Sequence, residues 1–333
     1  MLLKSLLKTF KAVALIILMV LCIAFQNTVS VAIYNSLARC VTHIIPSLFA
    51  MTVLSYIIQK CGIIDKAFSK SKFDLNAINC LIFGNIGGYP IGAKSVSETV
   101  NSGRLSKQKA EELMCFSFSC GPAFAIGVSY SVYGNSLYGL AAFSSIFVSN
   151  LVLFMIYSFK NKKIQNQKCS YREFSTKLIV EAVSNAATAM VNISAMIAAF
   201  SALTALLECI LPHIFVSVVP SVFEISNISE LKYLPLPVLT ALLAFGGLCV
   251  HMQLIAIVNG SFKMKKFFAT RFLQVPLAAI VSIAIDCIFN LDNYVTVSSH
   301  TVYISQSNSI IPFICMISMI SIIFLTKIKQ RKV

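Results

Sequence analysis

"FGNIGGYPIGAK", residues 83–94, puts five Gly or Pro residues among twelve positions, inside a chain that is 57% hydrophobic. A helix facing lipid has no use for such backbone. Irregular backbone at membrane depth is tolerated only where protein covers it or where it lines a water-filled cavity. Working outward, Lys60, Lys66, Lys70 and Lys72 precede this stretch, and Arg104, Lys107 and Lys109 follow it. Short basic loops stay on the cytoplasmic side. Both patches share that side only if the apolar segment 75–97 enters and leaves by the same face. The pattern therefore predicts a re-entrant hairpin with GNIGGYP at its tip, and Gly87, Gly88, Tyr89, Pro90 and Gly92 as candidates to hold a ligand through free backbone groups. The competing reading is close helix packing, since Gly88 and Gly92 have small-xxx-small spacing.

The rest of the chain reads as a polytopic all-α membrane protein. Of 333 residues only 12% are charged, about half the fraction of a soluble domain. Apolar runs fall at 12–25, 29–59, 75–97, 113–133, 136–159, 178–211, 235–258, 267–289 and 309–326. They are continuous rather than alternating, which excludes a barrel. This gives about eight or nine membrane segments. The net charge of +15 gathers in the short gaps between them, as topogenic charge does, with no aromatic interleaving to suit nucleic acid. The eleven cysteines include no CxxC and no Cys/His ligand spacing, so neither a disulfide framework nor a metal site is expected. No phosphate-binding or other cofactor motif is present.

The expected organisation is an N-terminal membrane helix at 1–28, a first repeat at 29–159 and a basic cytoplasmic loop at 160–175. A second repeat at 176–326 and a basic tail at 327–333 follow. The 29–59 run contains Arg39, His43 and Pro46 and reads as an interfacial helix followed by a crossing. The duplication rests on ordered matches: IIPSLF (44–49) with ILPHIF (210–215), Phe83-Gly84 with Phe245-Gly246, VNSG (100–103) with VNGS (258–261), and FSCGPAFAI (118–126) with FLQVPLAAI (272–280). Two repeats with interrupted segments at matching places fit the plan of secondary transporters, whose broken helices meet near the midplane. A strict inversion makes 235–258 a second hairpin and leaves Lys263, Lys265 and Lys266 outside. A full crossing returns those charges inside.

Candidate site residues follow from this plan. Lys94 either meets an anionic substrate, snorkels to water or pairs with Glu98 one turn on. In SCGP (119–122), Ser119, Gly121 and Pro122 form either a wall facing the hairpin tip or a simple kink, and Pro276 repeats the feature. In FGGLCVHMQ (245–253), Gly246, Gly247, His251 and Gln253 are the second half's counterparts; His251 is either a ligand and proton carrier or a satisfied core residue. Glu224 and Asn227 of EISN are either site groups or an ordinary polar turn. No nucleophile, base and orienter group together, so no enzyme is expected.

Residues 88–127, GYPIGAKSVSETVNSGRLSKQKAEELMCFSFSCGPAFAIG, closely resemble the bacterial sporulation integral membrane proteins of the YlbJ type, which carry the nucleoside-recognition Gate domain. EISN and FGGLCVHMQ resemble that family's second region. Two departures are Cys120, where the family usually has Ser, and the lack of a Gly after Asn227. The resemblance implies kinship with concentrative nucleoside transporters, a re-entrant hairpin in each repeat, and a place in the cell membrane or outer forespore membrane of an endospore former. It implies dipicolinate, a small aromatic dianion, as substrate. The expected partners are thus a small anion or a nucleoside-like molecule and the lipid bilayer; a coupling ion and self-association stay open.

Overall fold

A computed structural model describes residues 2–161, 171–210, 219–231 and 234–291. Among these the chain is helical and contains no strand. Five helical stretches are long and apolar enough to cross a membrane: Gln26–Lys60, Leu137–Lys160, Thr176–Cys209, Leu236–Val258 and Lys265–Phe289. The expected segment at 309–326, the tail, most of the 160–175 loop and nearly all of ILPHIF lie outside the described residues.

Helix α1 (Leu2–Ala24) runs almost directly into α2 (Gln26–Arg39). Backbone bonds from Phe25 to Leu21 (2.9 Å) and from Val29 to Phe25 (3.0 Å) bridge the junction, so the boundary expected near residue 28 lies at Phe25. A π-turn at Cys40–Ile44 passes α2 into α3 (Ile45–Lys60). The 29–59 run is therefore one long helical stretch and not an interfacial helix followed by a separate crossing. It lies along α10 (Thr176–Ile210).

After the short α4 (Ile63–Ala67), Asp74 caps α5 (Leu75–Ile86), accepting from the Asn76 N–H at 3.0 Å. The next helix, α6 (Tyr89–Asn101), starts with Pro90 in its first turn, where the missing N–H costs nothing. The two arms fold back on each other. A Cβ on Gly92 would come within 2.9 Å of the Gly84 Cα, although eight residues of straight helix span about 12 Å. Both ends of this hairpin meet the same end of the molecule, where Lys60 pairs with Glu98 at 2.8 Å and Asn79 donates to Asp65 at 2.7 Å.

The run 113–133 is split. Helix α7 (Lys107–Leu113) stops, residues 114–121 leave the helical path, and α8 (Pro122–Tyr133) resumes with Pro122 at its start. Helix α9 (Leu137–Lys160) then returns. In the second half, the short α11 (Val219–Phe223) and a 3-10 turn (Ile225–Glu230) precede α12 (Leu236–Phe245) and α13 (Gly247–Val258). Helix α14 (Lys265–Phe289) is unbroken through Pro276, so Pro276 does not repeat the interruption at Pro122.

Two corrections concern α12 and α13. They do not form a second hairpin. Tyr133 donates to the Leu234 carbonyl at one end of the molecule, whereas Ser261, just past α13, donates to Asn101 at 3.1 Å at the other. The pair is one crossing interrupted at Gly246-Gly247, and the strict inversion fails. As a consequence, Lys263, Lys265 and Lys266 join the basic patches of the first half at a common rim, where Lys266 pairs with Glu112 at 2.9 Å.

Candidate functional site

At the hairpin tip Pro90 borders a cavity, whereas the glycines are packed against protein. Gly88 has φ +86°, a conformation that favours glycine, and a Cβ on it would stand 3.5 Å from a Leu48 methyl and from the Cys120 carbonyl oxygen. Gly121, also at positive φ, sits against it, so that a Cβ there would come within 3.3 Å of the Gly88 Cα. Gly84 and Gly92 serve the close-packing role, since a Cβ on Gly84 would meet the Ser117 backbone at 2.6 Å and one on Gly92 would collide with the Ser117 carbonyl. Turn glycine and packing glycine thus occupy alternate positions of the same motif. Gly87 packs against Ile91, and Tyr89 turns inward, donating to the Leu243 carbonyl at 2.6 Å.

The broken segment opposite the tip leaves carbonyls without a helical ladder. Three of them find a side chain. Asn85 donates to the Phe116 carbonyl at 3.2 Å and Asn150 to that of Phe118 at 2.9 Å. Arg271 donates to the Cys115 carbonyl. Arg271 also donates to Gln274 at 2.6 Å, Gln274 to Asn150 at 3.2 Å, and Asn150 to Asn85 at 2.7 Å. This chain ties α14 through α9 to the hairpin. Arg271 is 4% exposed and its guanidinium lies over the rings of Phe118 (4.9 Å) and Phe267 (4.8 Å).

The cavity that collects predicted residues lies beside the tip, bounded by α3, α6, α10 and α13. It measures about 640 Å³ and includes Pro90, Lys94 and Gln253. Tyr56, Asn185 and Asn192 also line it. Lys94 Nζ donates to Asn185 Oδ1 at 3.1 Å and stands 5.6 Å from the centre of the Tyr56 ring. Among the described residues no carboxylate is in ion-pair contact with it; Glu98, one turn away, is engaged by Lys60. The Tyr56 hydroxyl donates to Glu181 at 2.6 Å, and Arg172 pairs with that carboxylate at 2.6 Å.

The other predicted residues are placed elsewhere. Ser119 is fully buried and accepts from the Gly121 N–H at 3.4 Å, which makes it part of the break. Pro122 starts α8. Gly246 meets the rings of Phe118 and Tyr89, and Gly247 meets the backbone of Ile225. His251 is a core residue: its Nδ1 lies 2.7 Å from the Gly247 carbonyl and its ring packs among Phe245, Phe118, Phe267 and Phe268. Of its two readings, the satisfied core residue is the one these contacts fit, and the ligand reading is corrected on that ground. Glu224 and Asn227 belong to a separate cluster. Glu224 accepts from the Ser226 N–H at 2.9 Å and from the Ser226 hydroxyl, and burial pushes its carboxyl above its ordinary pKa. Arg39 donates to Asn227 at 2.9 Å and pairs with Glu230.

That cluster borders a second cavity of about 560 Å³ on the other side of the tip contact. Along α3, Ser47 faces the second cavity and Thr52 the first, with Leu48 between them against Gly88. Around the break, Ala123 faces the second cavity while Pro90 faces the first. The packing of Leu48, Gly88 and Gly121 therefore separates two cavities.

Two functional features had sequence signals that the motif reading passed over. Asn185, Thr188 and Asn192 recur at helical spacing in an apolar run, which marks one polar face. Arg271 is a charge within an apolar segment, a functional candidate by default. Comparison with protein-family models, with curated proteins and with solved structures finds no match to this chain.

Proposed function

We propose that the protein is a membrane carrier of a small anionic metabolite, and that Lys94 is the group that recognises the anion. One observation carries this reading: an ammonium group in a largely apolar cavity, held by Asn185 and the Tyr56 ring, with no carboxylate of the described residues against it. A charge at membrane depth is costly unless paired, and a ligand carboxylate supplies the missing partner. Asn185 and Gln253 can then orient the rest of the ligand by hydrogen bonds. The packed contact of Leu48, Gly88 and Gly121, with a cavity on either side, is the element whose rearrangement exposes the site alternately.

The resemblance of residues 88–127 to the YlbJ-type Gate proteins makes dipicolinate the first compound to test and a membrane of the sporulating cell the expected location. The two-repeat plan with eight or nine membrane segments belongs to this reading. It is supported by the paired interruptions at Gly87-Gly88 and Gly246-Gly247, and by the loops VNSG and VNGS, each followed by a helix that starts with Lys. The common basic rim is then cytoplasmic. We read the protein as a carrier rather than an enzyme because the residues around Lys94 are suited to binding and orienting.

A ligand that binds only the folded state raises stability, by about 2.7 kcal/mol at a hundred times its Kd. Purified protein screened against dipicolinate, other small carboxylates and nucleosides should be stabilised by the anions, and the shift should vanish in Lys94→Ala. The cavity has more hydrogen-bonding side chains than the motifs alone supplied, so nucleosides are the informative comparison: stabilisation by nucleosides alone would overturn the anion reading. No stabilisation by any ligand, with no flux, would favour a sensor or scaffold.

A further inference from the structure

Two cavities meet at Glu98. On the side of the basic rim the Lys94 cavity adjoins a vestibule of about 420 Å³, and the two share walls at Gln59, Ser95 and Glu98. Glu98 and Lys94 lie four residues apart on α6, the spacing at which side chains of opposite charge can pair. Lys60 and Lys94 both lie over the ring of Tyr56, at 5.2 Å and 5.6 Å from its centre. Two ammonium groups thus flank one aromatic platform and one carboxylate serves them. Here it pairs with Lys60 at 2.8 Å, while Lys94 donates to the Asn185 amide. The remaining charges nearby are already matched, since Glu181 holds Arg172 and the Tyr56 hydroxyl.

We propose that Glu98 is a movable counter-ion that passes between Lys60 and Lys94, standing in at Lys94 for the ligand's carboxylate while the empty carrier reorients. The proposal rests on the carrier reading above. The asymmetry between the two lysines gives it direction. Lys60 ends α3 and borders the polar vestibule, where water can solvate it once Glu98 leaves. Lys94 borders the deeper, more apolar cavity, where an unpaired charge is costly. With ligand bound, Glu98 stays on Lys60 and the ligand neutralises Lys94. As the empty carrier reorients, Glu98 rotates to Lys94, and no uncompensated charge opposes its return. Net transport then needs Glu98, whereas ligand-for-ligand exchange, in which the empty carrier never reorients, does not.

The test compares two modes of flux with radiolabelled pyridine-2,6-dicarboxylate in proteoliposomes holding the full-length protein. Net uptake is measured into vesicles without ligand, and exchange into vesicles preloaded with unlabelled ligand. In Glu98→Gln the ratio of exchange to net uptake should rise about tenfold or more, because an unpaired buried charge raises the barrier to empty return. A second variant reads the relay through binding. Lys60→Met leaves Glu98 with Lys94 alone, so ligand affinity should fall about tenfold, and adding Glu98→Gln should restore it. Glu98→Gln that changes both fluxes in proportion, or neither, overturns the relay and leaves the carrier reading standing. So does a Lys60→Met defect that Glu98→Gln does not relieve. Wild-type protein that neither binds the dicarboxylate nor moves it in either mode removes the carrier reading and the relay together.

Discussion

The phenol of Tyr89 donates to the carbonyl of Leu243 at 2.6 Å, joining the start of the second hairpin arm to the end of α12. Leu243 lies in the last turn of that helix, which ends at Phe245 because Gly246 and Gly247 both take positive φ. Its carbonyl lies among those a helix end leaves for outside donors. A tyrosine of the first half therefore completes the interruption in the second.

Tyr89→Phe keeps the ring, 4.7 Å from that of Phe118, and removes only the donor. It should lower stability by about 1–2 kcal/mol, seen as a reduced melting temperature of the detergent-solubilised protein. An unchanged melting temperature would show that the carbonyl has another partner.

Glycines at different places in the fold should differ sharply. Gly92→Ala drives a methyl into the Ser117 carbonyl, with backbone on both sides and no flexible group to yield. A loss of about 3 kcal/mol or more, or failure to accumulate, is expected. Gly127→Ala, in α8 with nothing within 4 Å of the new methyl, should be neutral or stabilise by up to about 1 kcal/mol. Equal behaviour of the two would contradict the tight seat of the hairpin on the break.

Arg271 holds the Cys115 carbonyl with one nitrogen and Gln274 with another. Lysine lacks the planar fork that makes both contacts. Arg271→Lys should therefore destabilise by about 2–3 kcal/mol, the cost of leaving buried polar groups unmatched. Arg271→Lys at wild-type stability would mean that charge alone is required there.

The common basic rim makes a topological prediction. In a variant without native cysteines, single cysteines at Ser102 and Gly260, both exposed, should react with an impermeant maleimide from the same face of the membrane. One at Ser136, exposed near the Tyr133–Leu234 contact, should react from the other. Labelling of 102 and 260 from opposite faces would restore the inverted second hairpin.

How much of this was readable in advance varies by element. The hairpin at 75–101 could be inferred because two local signals, the Gly/Pro cluster and the flanking lysines, agree. The break at 114–121 is longer than the wall or kink that SCGP suggests, since Pro122 alone does not reveal that Cys115, Phe116 and Phe118 have side-chain partners from three other helices. Pro276 misled for the opposite reason: a single proline in a long, well-packed helix need not interrupt it. His251 and Lys94 looked equivalent as polar residues in apolar runs. Only the fold separates them, by giving His251 a carbonyl one turn back and a shell of phenylalanine rings, and Lys94 an open cavity. The Asn185 face had the right spacing but no Gly or Pro to draw notice.

Uptake of radiolabelled dipicolinate by proteoliposomes, with wild-type protein and Lys94→Ala reconstituted at equal density and equal melting temperature, tests the central claim most directly. The account predicts saturable uptake by the wild type and a loss of about tenfold or more in Lys94→Ala, since the ammonium proposed to recognise the anion is gone. Equal uptake by the two proteins would contradict it.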